Sequence, residues 1–70
     1  SRLQGSATAR PWGEIRPVIE AELGSLAAFS RIDEVAAHAA SIAQVHRATL
    51  AADGRKVAVK VRYPGLEGTV

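Results

Sequence analysis

The run Val57-Ala58-Val59-Lys60-Val61-Arg62-Tyr63 constrains the fold more than any other part of this chain. Apolar residues fall on every second position, and a period of two belongs to an extended strand with one covered and one open face. Val57, Val59, Val61 and Tyr63 share one face, while Ala58, Lys60 and Arg62 share the other. Upstream, Ile42 to Leu50 (IAQVHRATL) is a second strand-like run, and Ala52-Asp53-Gly54 between the two carries the Asp-Gly signature of a tight reversal. The spacing predicts an antiparallel hairpin with strands over about 42–50 and 57–63. A third strand is expected over about 32–37, leaving His38 to Ser41 as a tight loop. Tyr63-Pro64-Gly65 ends the sheet, because proline donates no ladder hydrogen bond.

The first half of the chain has a different period. Ile15, Val18, Ile19 and Leu23 recur at helical spacing, Glu14, Glu20 and Glu22 lie off that stripe, and Gly24 stands where a helix is capped. A helix over 14–23 follows, with Pro17 tolerated in its first turn, where the missing amide costs little. A short helical turn is expected over Ser25 to Phe29. Residues 1–12 (SRLQGSATARPW) show no apolar period and read as a linker or poorly ordered lead-in to a unit over 13–70. The expected fold class is α+β: an N-terminal helix followed by a three-stranded antiparallel meander.

Fourteen of the seventy residues are Ala, and Trp12, Phe29 and Tyr63 are the only aromatic residues, so the core is thin. Without cysteine there is neither a disulfide nor a thiolate metal site. His38 and His46 lie on different elements without carboxylate spacing and read as surface residues, so no metal site is expected. The formal charge of +2 suits a phosphate ligand and falls well short of a nucleic-acid-binding tail. Arg47, Arg55, Lys56 and Arg62 form a basic patch with no interleaved aromatics to stack on bases, which argues against nucleic acid as a partner. The patch reads as a solvated face, with attraction to lipid or phosphate as the lesser option. No apolar run approaches the ~18 residues of a membrane span, and no signal segment is present. The chain begins at Ser1 without an initiator Met and stops at Val70 without a terminal signal, and so reads as part of a longer one.

The strand over 57–63 displays a lysine beside a small residue. Ala58 leaves room for a flat adenine, and the Lys60 ammonium two residues on reaches phosphates as a point charge. Val57-Ala58-Val59-Lys60 is close to the Val-Ala-Ile-Lys of the third strand of protein kinases. Alone, the tetrapeptide is a weak signal and is better described as an amphipathic edge strand with a solvated lysine. The upstream register adds weight. The phosphate-loop pattern G-x-G-x-x-G-x-V, followed three residues later by Ala, aligns with His38 to Val45 and then Ala48, and the 15 positions from Val45 to Lys60 fit one short hairpin. His38, Ala40 and Ala43 stand where the three glycines would be. A Cβ resists positive φ and holds the backbone away from phosphates, which disfavours the ordinary protein-kinase loop.

The string Ala39-Ala40-Ser41-Ile42-Ala43-Gln44-Val45-His46-Arg47-Ala48, with Asp53-Gly54 and Val57-Ala58-Val59-Lys60-Val61-Arg62-Tyr63-Pro64-Gly65, resembles the UbiB family of atypical kinases, also called aarF-domain-containing or ADCK proteins. In that family an Ala-rich A-A-A-S loop replaces the Gly-rich loop. Ile19 to Gly24 resembles its I-E-x-E-L-G helix end and Phe29 to Asp33 its F-x-x-I-D, so the likeness covers about residues 12–68. The family has Pro where Ala36 stands and Ala where His38 stands. Its K-x-G-Q motif, the helix glutamate that pairs the lysine, the catalytic-loop Asp and the metal-binding Asp are not among these seventy residues.

The resemblance implies a partial kinase-like N-lobe from an atypical kinase or ATPase that binds ATP or ADP. Lys60 would take the catalytic role on the α and β phosphates. Ala39, Ala40, Ser41, Ala43, Val45 and Ala58 would line the nucleotide with it, and Mg²⁺ would be held by residues outside this stretch. Ser41 equally suits a hydrogen bond that structures the loop, and Gln44 reads as a strand-face residue. The resemblance also implies a role in ubiquinone or other isoprenoid-quinone biosynthesis or in lipid homeostasis. The longer protein would be membrane-associated, with membrane lipid or quinone-biosynthesis proteins as partners. The seventy residues alone are not expected to be active. The alternative is a non-catalytic, pseudokinase-like binding or scaffold module.

Overall fold

Pro11 sets where the helix begins. Its φ of −67° and ψ of 152° hold it extended, while its carbonyl accepts the amides of Glu14 at 2.9 Å and Ile15 at 3.3 Å. In the computed structural model, which describes residues 8–65, helix α1 runs Trp12–Leu23. The helix therefore starts earlier than its apolar stripe suggests, and Pro17 sits inside it, past the first turn. There it offers no N–H to the Gly13 carbonyl and its ring crowds that oxygen. At the other end Gly24 adopts the left-handed conformation (φ 85°) and donates its amide to the Glu20 carbonyl at 2.7 Å. Ile15 and Ile19 are buried, Val18 is half-buried, and Leu23 is 54% exposed, so the covered stripe is narrower than the periodicity indicates.

Residues 25–28 form turns instead of the expected helical turn. The Ser25 hydroxyl accepts the Ala27 amide at 3.1 Å, and the Phe29 amide reaches the Leu26 carbonyl at 3.0 Å. Strand β1, Phe29–Ile32, then starts earlier than the strand expected over 32–37, and most of that range is not strand. The Asp33 amide still bonds the Arg47 carbonyl at 2.8 Å, the chain leaves the ladder, and the Ala37 amide rejoins it at the Val45 carbonyl at 2.8 Å. Val35, at the crest of this excursion, is 81% exposed. Strand β2, His38–Ala39, resumes the pairing. His38 and Ala39, expected in a loop, are thus paired strand residues, and the reversal lies one step later, where the Ala40 amide bonds the Ala43 carbonyl at 2.8 Å.

Strand β3, Ala43–Leu50, is the centre of the sheet. On one side it pairs antiparallel with β1 (Arg31 opposite Thr49, Ile32 opposite Ala48) and with β2 (His38 opposite Val45, Ala39 opposite Gln44). On the other it pairs with β4, Lys56–Arg62, in unbroken register from Ala43 opposite Arg62 to Thr49 opposite Lys56. The meander thus has its three rows, with the first row broken into two short strands. The β3–β4 reversal uses the Asp-Gly chemistry read from the sequence: Asp53 Oδ1 accepts the Arg55 amide at 3.0 Å and Gly54 has φ 75°. Helix α1 packs against one face of the sheet, where Ile15, Ile19, Val61 and Tyr63 form the core, flanked by Trp12, Val18, Leu26, Phe29, Ile32 and Val59. The last residues of the unit expected over 13–70, and residues 1–7 of the expected lead-in, lie outside the described residues.

Candidate functional site

The sheet register assembles the residues singled out by the sequence. His38 on β2, Val45 on β3 and Lys60 on β4 are consecutive cross-strand partners, forming one row across the sheet. Arg47 and Ala58 form the next row. Because strand side chains alternate, these residues share the face turned away from α1, together with Ala43 and Arg62. Ala58 and Lys60 are exposed and Val45 is half-buried, so a small residue, a branched apolar residue and an ammonium adjoin on an open surface. Ala40 and Ser41 are exposed in the reversal between β2 and β3, beside the His38 row, and Ala43 is buried at the start of β3. Ala39 is placed differently: it pairs with Gln44 and alternation turns its side chain toward the α1 face.

The alanines of the turn are explained by its backbone. Among the described residues every positive φ belongs to a glycine, so the reversal from Ala40 to Ala43 is made in conformations open to any L-residue. It is a different loop from one that relies on left-handed glycines, and a Cβ strains nothing in it.

The open face is electropositive. Among the described residues the ion pairs are Arg16–Glu20 at 3.2 Å, Arg31–Asp33 at 3.4 Å and Arg55–Asp53 at 3.7 Å, all exposed and each worth little in water. Lys60, Arg62, Arg47 and Lys56 take part in none of them. Two depressions border this surface. One of about 510 Å³ lies at the hairpin end, lined by Arg31, Arg47, Lys56 and Ala58. The other, of about 880 Å³, runs between α1 and β4 past Val18, Leu23, Val59 and Lys60.

Behind Val45 lies a buried polar network that the sequence reading missed. His46 has no exposed surface and Gln44 is 1% exposed, which corrects the expectation that His46 is a surface residue. His46 Nδ1 lies 2.7 Å from the Asp33 carbonyl oxygen. A carbonyl only accepts, so Nδ1 carries the proton and Nε2 is free to accept from Gln44 Nε2 at 3.0 Å. The same Gln44 amide nitrogen donates to the Arg10 carbonyl at 3.1 Å. Gln44 Oε1 accepts from the Arg10 amide at 2.8 Å and from the Tyr63 hydroxyl at 2.6 Å. All four hydrogen-bonding positions of one buried amide are therefore used. The Trp12 ring packs 5.3 Å from the imidazole of His46, and the Arg10 guanidinium lies 4.0 Å over the Tyr63 ring. Arg10, which falls in the expected lead-in, is thus docked on the sheet through its own backbone. Alternation could have found this: if Val45 faces outward, Gln44 and His46 must face the helix, where a polar side chain requires partners.

A helix packed on an antiparallel sheet, with the lysine of a Val-Ala-Val-Lys strand set opposite a valine on the open face, is part of a kinase-like N-lobe. The chain matches the family described as the ABC1 atypical kinase-like domain over residues 2–70, and it belongs to that family. It is 40% identical over 72 residues to the mitochondrial atypical kinase COQ8 of Saccharomyces cerevisiae, covering 100% of this chain and 14% of that protein. Against AarF domain-containing protein kinase 1 of Xenopus tropicalis it is 44% identical, covering 96% of this chain and 13% of that protein. Against the probable protein kinase UbiB of Cellvibrio japonicus it is 36% identical, covering 100% of this chain and 13% of that protein. The chain therefore spans about one seventh of the length of these three curated relatives. No solved structure matches it.

Proposed function

We propose that this segment is the nucleotide-binding sheet of an atypical kinase or ATPase, with ATP or ADP lying against its open face. The observation that carries this is the Val45–Lys60 cross-strand pair with Ala58 in the adjoining row. A flat base needs a small residue and a branched apolar contact, and a phosphate chain needs an accessible cation that no carboxylate neutralises. Lys60 would hold the α and β phosphates by charge-assisted hydrogen bonds, which fix the phosphate chain for transfer. Ala40 and Ser41 would border those phosphates from the turn and Ala43 from the start of β3, with Ala39 contributing backbone only. Mg²⁺ would supply further neutralisation of the phosphates and be held by residues of the longer protein.

The longer protein would support ubiquinone or other isoprenoid-quinone biosynthesis, or lipid homeostasis, at a membrane. Its partners there would be lipid or quinone-biosynthesis proteins. The described residues contain no helix long and apolar enough to cross a membrane. The test is nucleotide affinity of the full-length protein carrying Lys60→Ala. Loss of one charge-assisted contact lowers affinity by about 10- to 100-fold; unchanged affinity and turnover would refute the assignment.

A second reading has its own support. The Ala40–Ala43 turn carries methyl groups where a phosphate cradle needs close backbone approach, which suits a module that binds without turnover. Nucleotide binding without phosphoryl transfer or hydrolysis in the full-length protein would decide for it.

A further inference from the structure

The row that contains Lys60 and Val45 has a third member that the nucleotide reading does not use. His38 is exposed, lies directly opposite Val45, and by register shares its face with Lys60. Adjacent strands are about 4.8 Å apart, so the His38 and Lys60 backbones flank Val45 at a separation of roughly 10 Å. An imidazole on one side and an ammonium on the other can both lean over Val45 toward a single extended anion.

The charged surroundings of His38 are mostly cationic. Arg47 on β3, and Lys60 and Arg62 on β4, share the face, while the excursion before β2 carries Asp33 and Glu34. The Asp33 carboxylate is engaged by Arg31. The other histidine, His46, is enclosed behind the sheet with both ring nitrogens bonded, so it does not reach this surface.

Resting on the nucleotide reading above, we propose that His38 is a further anion-binding residue of this face, its imidazole ring donating a hydrogen bond to the phosphate chain that Lys60 holds. The ligand class is a nucleoside di- or triphosphate, since adenosine offers the ring no anion.

The experiment uses the full-length protein and compares ADP with adenosine at one fixed pH, in the wild type, His38→Ala and Lys60→Ala. His38→Ala is expected to weaken ADP about three- to fivefold, as loss of one exposed hydrogen bond provides. The same variant leaves adenosine affinity unchanged. If His38→Ala binds ADP as tightly as the wild type, or weakens adenosine as much as ADP, the inference is overturned while nucleotide binding stands. If the wild type binds ADP but Lys60→Ala binds it equally well, the Lys60 assignment fails separately. If no nucleotide binds at all, both are refuted.

Discussion

Gln44→Leu tests whether the polar network behind the open face of the sheet holds the sheet together. Leucine keeps nearly the volume of glutamine and removes four hydrogen bonds: to Arg10 N, Arg10 O, Tyr63 Oη and His46 Nε2. The Arg10 groups lie toward the surface and can recover water, whereas Tyr63 is 4% exposed and His46 fully enclosed. Two buried polar atoms are therefore orphaned, each at about 1–3 kcal/mol. Part of this is offset by the apolar gain of leucine, leaving a net loss of about 3 kcal/mol. Small domains have only about 5–15 kcal/mol in total. The assay is urea unfolding of the full-length protein followed at Trp12, whose ring packs on His46. Tyr63→Phe serves as the partial control, because Oε1 keeps its bond to Arg10 N and only about 1 kcal/mol is lost. Measured in a double-mutant cycle, the two positions should couple by at least about 0.5 kcal/mol. A Gln44→Leu protein within about 0.5 kcal/mol of the wild type would show that water replaces the network, and the claim that it positions β3 would fall.

Two further substitutions separate the parts of this arrangement. Pro17→Ala should raise stability by about 1 kcal/mol, since it restores an amide for the Gly13 carbonyl and removes the ring clash, partly offset by a freer unfolded chain; chemical denaturation measures it, and a loss of stability would show that the pyrrolidine is needed in the groove between α1 and β4. Arg10→Ala should cost under about 1 kcal/mol, because the contact with Tyr63 is lost while both backbone bonds to Gln44 remain. The same unfolding assay checks it, and a loss as large as that of Gln44→Leu would place the docking in the guanidinium.

The hairpin was legible because two local rules agreed on it. The alternation of Val57 to Tyr63 fixed which face is covered, and Asp53-Gly54 fixed the reversal. The helix stripe was legible for the same reason, through Ile15 and Ile19. The first strand was misplaced because its pairing is non-local. Phe29 to Ile32 follows β3 only as far as Ala48, after which the chain leaves the ladder, and nothing in Asp33 to Ala37 marks the departure. The helix start was misjudged because Pro11 and Trp12 carry no apolar period: the Pro11 carbonyl receives the first two helix amides locally, and the Trp12 ring is held by a tertiary contact with His46.

The polar network was invisible for a deeper reason. Gln44, His46 and Tyr63 become partners only when three strand rows and the segment before α1 are in place, and the fourth partner, the Arg10 backbone, has no side-chain signature at all. That placement bears on the site. Gln44 and His46 flank Val45 in sequence, and Tyr63 follows Lys60 by three positions. Bonding between Gln44 and Tyr63 on the covered face therefore fixes the register that sets Val45 opposite Lys60 on the open face. A slip of one residue would turn Gln44 and His46 together into solvent if β3 moved, or Lys60 toward Ile15 and Ile19 if β4 moved, so the polar atoms of the core oppose misregister more strongly than its few small apolar side chains can.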